Sequence, residues 1–168
     1  MGGNLVDKLS ELNENVFELI GKKWMLITAA KEGKSNTMTA SWGGLGVMWG
    51  KKVAYVVIRP QRYTKEFIDV AESFSLSFLP EKFRKELSYL GSVSGRDEDK
   101  IAKAGLSLTY QEEVPYFEES ELVLICKKLF VQEFKDESFL DKSILDTWYK
   151  AGDNHYLYIA EIIDVLKK

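Results

Sequence analysis

Two short segments hold most of the residues able to do chemistry. The first, "NTMTASWGGLGVMWGKK" over residues 36–52, sets two Trp, two Met and four Gly among small hydroxyl side chains. The second, "RPQRYTKEF" over residues 59–67, places Arg59 and Arg62 around Pro60, just ahead of a helix-like pattern. Two guanidinium groups, the Thr64 hydroxyl and the free N–H groups of a helix start suit an oxyanion such as a phosphate. Thr39 and Ser41, two apart on one predicted strand, face the same side and add hydroxyl donors, and Trp42 supplies a flat apolar wall. A flat aromatic cofactor carrying a phosphate satisfies all of these at once.

Each feature also has a packing interpretation. Trp42, Met48 and Trp49 suit the core of a hairpin whose glycines serve bulges and turns. Arg59 and Arg62 suit solvated surface charges. Thr64 suits a helix N-cap, a role that draws on the same orphan N–H groups as a phosphate. Gly44 and Gly46 have the spacing of a dinucleotide fingerprint, but Trp49 stands where its third glycine belongs and no βαβ unit surrounds it, so a Rossmann site is rejected.

Other chemistries are poorly supplied. A single cysteine, Cys126, excludes an intrachain disulfide, and its apolar run "ELVLICKKLFV" suits a buried, inert thiol. One histidine, His155, leaves too few soft ligands for a zinc or iron–sulfur site, so no metal is expected. Paired catalytic carboxylates and an activated nucleophile are absent from the pattern. The net charge of −3 argues against nucleic acid or a membrane surface as partner. The apolar runs are too short to span a bilayer and "MGGNLVDKLSELNEN" has no apolar signal core, which predicts a cytoplasmic protein.

The elements that must position these residues follow from pattern. A length of 168 residues with 45% apolar content suits one domain over 1–168. A short helix is predicted around Leu5 to Leu12, then strands at "KKWMLITAA", "TMTASW" and "KVAYVVI", the last ended by Pro60. "TKEFIDVAE" has helical spacing with Thr64 as its cap. "SFSLSFL" alternates serine with apolar residues, the mark of a half-buried strand. "PEKFRKELSYLG" predicts a helix opened by Pro80 and closed by Gly91, and "SGRDEDKIAKAG" a loop and short helix stopping at Gly105. Strands near 121–133 and 155–165 flank the long connection "DESFLDKSILDTWYKAGDN". Strands and short helices without a βαβ rhythm predict a mainly β (α+β) antiparallel sheet or barrel with helices added.

The blocks "NTMTASW", "IRPQRYT", "SGRDEDK" and "HYLYIAEI", running in order from Asn36 to Ile162, resemble the flavin reductase-like, flavoredoxin-type family of FMN-binding split barrels. The resemblance implies a six-stranded antiparallel split barrel with peripheral short helices, a homodimer, and FMN held non-covalently near the subunit interface. It implies that Asn36, Met38, Thr39, Ala40, Ser41 and Trp42 border the flavin, and that Arg59, Arg62, Tyr63 and Thr64 hold its phosphate. Ser94, Gly95 and Lys100 match the loop and helix start beside the cofactor, and His155 matches a late histidine near the flavin or nicotinamide, the one catalytic candidate.

Read without the family, Lys100 fits a surface ion pair with Asp97, Ser94-Gly95 an ordinary turn, and His155 a hydrogen-bonded structural histidine. With it, Lys100 is also the candidate for positive charge beside the flavin's pyrimidine edge. Flavin does the hard chemistry, so the protein need only bind, orient and tune it. The expected activity is that of an FMN-dependent oxidoreductase, an NAD(P)H-dependent flavin reductase-like enzyme. Two other readings stand beside it: a flavodoxin-like electron carrier reduced by a redox protein partner, and a cofactor-free interaction module. Nine Phe, eight Tyr and four Trp exceed what so small a barrel must bury, which supports an interface between copies. The resemblance departs at Ala160, where many relatives carry Gly; the 136–154 connection is long enough to lie over the flavin, and its role is left open.

Overall fold

The computed structural model describes residues 5–168. Helix α1 (Leu5–Ser10) and a π-helical turn (Phe17–Lys22) precede β1 (Met25–Lys31) and β2 (Lys34–Ala40), which pair antiparallel across a two-residue turn, Glu32-Gly33. Both turn residues have positive φ, the geometry that matches strand twist in tight hairpins. Strands β3 (Gly43–Met48) and β4 (Lys51–Ile58) repeat the device through Trp49-Gly50. Then follow α2 (Tyr63–Val70), β5 (Ser73–Phe78), α3 (Arg84–Ser92), α4 (Lys100–Ala104), β6 (Leu108–Gln111), β7 (Val114–Phe117), β8 (Leu122–Glu133), α5 (Ser143–Trp148) and β9 (Tyr156–Lys167).

The main sheet has the order β2-β1-β5-β8-β9-β4-β3, with every neighbouring pair antiparallel, and β6-β7 form a separate hairpin. Its two edge strands, β2 and β3, are joined only by Ser41 and Trp42. So short a link forces the sheet to curl until its edges approach, which makes it a barrel. The bend needs glycine: Gly43 has φ of 140°, and a Cβ there would lie 2.3 Å from the Tyr55 carbonyl oxygen. The expected mainly antiparallel α+β architecture is what the chain adopts. Seven strands stand where six were expected because this bend divides one stretch of chain between both edges.

Apolar side chains from the strands fill the interior, among them Met25, Ile27, Met38, Val56, Phe74, Leu76 and Leu124. Their burial is the main driving force for curling the sheet. Ala160 is fully buried opposite Ala54, so the larger residue at this position is absorbed by a small cross-strand partner. Cys126 is fully buried and desolvation raises its pKa, in keeping with an inert thiol.

Three local expectations need correcting. Strand β5 is buried on both faces, because the unpredicted β6-β7 hairpin covers its serine side and Ser75 donates to the Pro115 carbonyl at 2.6 Å. Helix α3 begins after a 3-10 turn (Glu81–Phe83) that follows Pro80, and it runs through Gly91 to Ser92. Gly91 is a packing glycine: a Cβ there would lie 3.1 Å from the Thr39 Cβ, so it lets α3 approach β2. Among the described residues no helix is long and apolar enough to cross a membrane.

Candidate functional site

The barrel brings the separate sequence blocks to one groove. At one end a cleft of about 200 Å³ is lined by Met38, Thr39, Ala40, Ser41 and Trp42 from β2 and its exit, with Val57 and His155 behind them. At the other a cleft of about 310 Å³ is lined by Asn36, Tyr63, Thr64, Ser94, Gly95 and Lys100. Met38, Arg59 and Arg62 line both clefts and join them. Every residue proposed from the sequence to border the cofactor therefore lines one of these two joined clefts.

Several of these residues do something other than expected. Strand β2 ends at Ala40, so Thr39 and Ser41 are not a same-face strand pair. The Thr39 hydroxyl donates to the Leu87 carbonyl at 2.5 Å, which leaves its lone pairs and not its proton for a ligand. Thr64 is not the N-cap: Arg62 holds that position without a side-chain cap bond. Thr64 lies one residue inside α2, is 1% exposed, and accepts from Asn36 Nδ2 at 2.8 Å. A hydroxyl so deep serves to fix Asn36. The other end of that amide packs on Gly95, where a Cβ would lie 2.1 Å from Asn36 Oδ1.

The cations divide by their partners. Arg59 pairs with Asp153 at 2.8 Å, donates to the Trp148 carbonyl at 3.0 Å, and lies 5.0 Å from the Tyr149 ring centroid. It fastens the 136–154 connection. Arg62 donates to the Gly91 carbonyl at 3.0 Å, and burial, with Arg59 nearby, pulls its pKa down. Lys100 is 3% exposed and donates to the carbonyls of Leu90 and Val93 at 2.8 and 2.9 Å, securing the end of α3. Burial, and then Arg62, push its pKa down to about 8. The surface pairing of Lys100 with Asp97 is thereby replaced. Lys100 lines the cleft of Thr64 and Ser94, not that of Trp42.

Among the described residues neither Arg62 nor Lys100 forms an ion pair with a carboxylate. Buried Lys100 and half-buried Arg62 repel one another, which is costly unless an anion joins them.

His155 faces the opposite end. Its Nδ1 lies 2.7 Å from the Tyr149 hydroxyl and its ring centroid 5.3 Å from that of Trp42. Burial, reinforced by Arg59, pushes its pKa down to about 4, so the imidazole is neutral at neutral pH. Such a ring orients and hydrogen-bonds; it does not serve as a cationic acid.

Sequence reasoning missed Trp148, whose ring stands edge-on to Trp42 with centroids 4.9 Å apart and completes the first cleft. It missed Asp153 as the anchor of Arg59. The adjacent aromatic pair Trp148-Tyr149 in the connection is the signal that points to them.

The fold has close counterparts. Flavoredoxin from Methanosarcina acetivorans is 26% identical, with a TM-score of 0.71 over 94% of this chain and 74% of that one. An FMN-binding protein from Thermus thermophilus, 22% identical, shares the fold with a TM-score of 0.68 over 100% of this chain and 77% of that one. An NADH:FAD oxidoreductase from Streptomyces globisporus does so at 14% identity, with a TM-score of 0.66 over 87% and 75%. No curated protein matches the sequence. The model of the flavin reductase like domain matches residues 17–167, nearly the whole of the barrel just described, and the chain belongs to that family.

Proposed function

We propose that the chain binds FMN and acts as a flavin-dependent oxidoreductase that takes reducing equivalents from NAD(P)H. The observation that carries this reading is the convergence of Arg62 and Lys100, neither paired with a carboxylate, at one end of a groove whose other end is walled by Trp42 and Trp148. A phosphate dianion relieves the repulsion between the two cations, and a planar ring system suits the aromatic end. The residues present therefore fit the group.

When bound, the flavin supplies hydride and electron transfer at its ring. Arg62 and Lys100 would hold the phosphate, with the backbone around Ser94 and Gly95 closing over it. Asn36, fixed by Thr64, lines the phosphate end of the groove. Trp42 and the backbone from Thr39 to Ser41 would orient the ring, and neutral His155 would stand beside it. His155 is no cationic acid in this scheme, because its low pKa keeps it unprotonated at neutral pH.

Exposed Val47, Met48 and Trp49 on the β3 edge, with Trp49 6.1 Å from Phe130, favour a homodimer across this face. Light scattering that finds two copies supports it, and a monomer at micromolar concentration removes it.

The test of function is a titration of purified protein with FMN, followed by NADH or NADPH under argon. Stoichiometric quenching of FMN fluorescence and bleaching of its absorbance on addition of either nucleotide are expected. Tight FMN binding with inertness to both nucleotides transfers the reading to an electron carrier with a protein donor. Failure to bind FMN leaves only an interaction module.

A further inference from the structure

The outer wall of the groove is made by a segment that is fastened with unusual care. The chain leaves β8 and returns to β9 through residues 134–155, and the neck of this strap is tied twice. Phe134 N donates to the His155 carbonyl at 2.9 Å, and Asn154 Nδ2 donates to Asp136 Oδ1 at 2.7 Å. Its middle carries α5, whose last residue, Trp148, is edge-on to Trp42 and 51% exposed.

The strap is held against the barrel from the β4-α2 turn. Arg59 commits its guanidinium to the Trp148 carbonyl, to the Asp153 carbonyl at 3.3 Å and to the Asp153 carboxylate at 2.8 Å. Gln61 adds a second bond to that carboxylate at 2.8 Å. These bonds reach across 89 to 94 residues of sequence and set where the indole of Trp148 stands. A guanidinium so occupied contributes little to an incoming phosphate, whereas Arg62 has its charge uncommitted.

A planar ring along Trp42 would leave the exposed part of Trp148 as the apolar surface next to it that opens to solvent. Indole attracts flat rings by stacking and cationic rings through its π face. The neighbouring polar groups do not compete: His155 is tied to Tyr149 and Arg59 to the strap. The mouth of the cleft thus selects by flatness rather than by charge.

We propose that Trp148 is the stacking wall for the planar second reactant, a ring of the nicotinamide class, and that Arg59, acting through the Trp148 carbonyl and Asp153, is the positioning residue that sets this wall. The inference rests on the flavin reading above.

The test uses full-length protein labelled with 5-fluorotryptophan, the Trp148 resonance being assigned by its loss in Trp148→Phe. Redox-inert NAD⁺ is titrated into protein saturated with FMN. The Trp148 resonance should shift saturably while that of Trp24, stacked on Arg84, stays put. In protein kept saturated with FMN, Trp148→Ala should weaken NAD⁺ at least fivefold beyond any loss of FMN affinity, and Trp148→Phe should recover most of that loss. In protein without added flavin, Asp153→Asn should make Trp148 more accessible to acrylamide and sharpen its resonance. Arg59→Lys, which keeps the charge but loses the planar fork, should do the same. A Trp148 resonance indifferent to NAD⁺ in FMN-saturated protein, or unchanged NAD⁺ affinity in Trp148→Ala, overturns the wall while leaving the flavin reading intact. An unchanged Trp148 signal in both latch variants overturns the role of Arg59. Failure of FMN to bind at all removes the flavin reading and this inference with it.

Discussion

Asn36 fills the space that any side chain at Gly95 would need: a Cβ built on Gly95 lies 2.1 Å from Asn36 Oδ1 and 3.1 Å from Tyr63 Cδ1. Asn36 cannot swing away without loss, because its Nδ2 is bonded to buried Thr64 at 2.8 Å. Strand β2, helix α2 and the loop after α3 therefore meet at one amide. The requirement at Gly95 is for room, since its backbone is not among those with positive φ.

Gly95→Ala is accordingly expected to destabilise the fold by about 1–3 kcal/mol, the usual cost of overpacking a filled site. Thermal melts check this. Asn36→Ala should make the same change at Gly95 much cheaper, and the double-mutant cycle should show coupling well above the additive limit. Strict additivity would mean that the two residues do not share this space.

Arg62 and Arg59 look equivalent in sequence but are separated by their contacts. Arg62→Ala is expected to weaken FMN by roughly tenfold to a hundredfold, the range of a lost charge-assisted hydrogen bond, while riboflavin affinity barely moves. Arg59→Ala should weaken both ligands alike, because it loosens the strap and not the phosphate end. Parallel fluorescence titrations with the two ligands read this out. An Arg59→Ala protein that discriminates against FMN alone would return Arg59 to the phosphate.

The contrast shows what was legible in the sequence. Strands β4 and β9 are dense in β-branched and aromatic residues, and the hairpin turns and the Gly105 stop carry their own backbone chemistry, so their pattern is local. Site residues cluster in short blocks because each block exits a strand or enters a helix at the same end of the barrel. The Arg59–Asp153 latch and the Trp42–Trp148 pair join residues about a hundred apart or more in the chain, and such contacts leave no periodic trace. Thr64 was misread for the opposite reason: hydroxyl, helix start and polar neighbours are all true of it, but only the packing of β2 against α2 shows that its partner is Asn36. The β6-β7 hairpin escaped notice because its turn uses Glu112, with φ of 54°, where glycine or asparagine would announce it.

Lys100 gives FMN binding a pH dependence of definite sign. Its pKa in the free protein, lowered to about 8 by burial and by Arg62, must rise when a dianion sits beside it. Binding then takes up a proton at pH values above about 8, and affinity falls as pH rises through that value, by up to about tenfold per unit. Below it, down to the range where the phosphate itself protonates, affinity should be flat. Isothermal titration from pH 6.5 to 9.5 checks this, and Lys100→Gln should bind FMN more weakly with no alkaline decline. Riboflavin, which has no phosphate, should show no decline in either protein.

His155 sets the acid limit of the fold. Its pKa of about 4 in the folded chain lies below the ordinary value near 6.5, through burial first and Arg59 and Arg62 next, with Asp153 acting in the opposite direction. The unfolded chain therefore binds the extra proton first. Stability is unaffected by this group above about pH 6.5 and declines as pH falls from there towards 4, by at most about 3 kcal/mol. Because His155 is the only histidine in the sequence, its imidazole C–H resonances need no assignment. They should keep the neutral position to below pH 5 in the native protein. Denaturant melts between pH 7 and 5 should lose stability in the wild type and lose less in His155→Gln, the difference isolating this residue from the carboxylates that titrate lower. A histidine that titrates near 6.5 in the folded protein would mean that water and charge reach the ring. The fixed neutral edge beside Trp42 would then not exist.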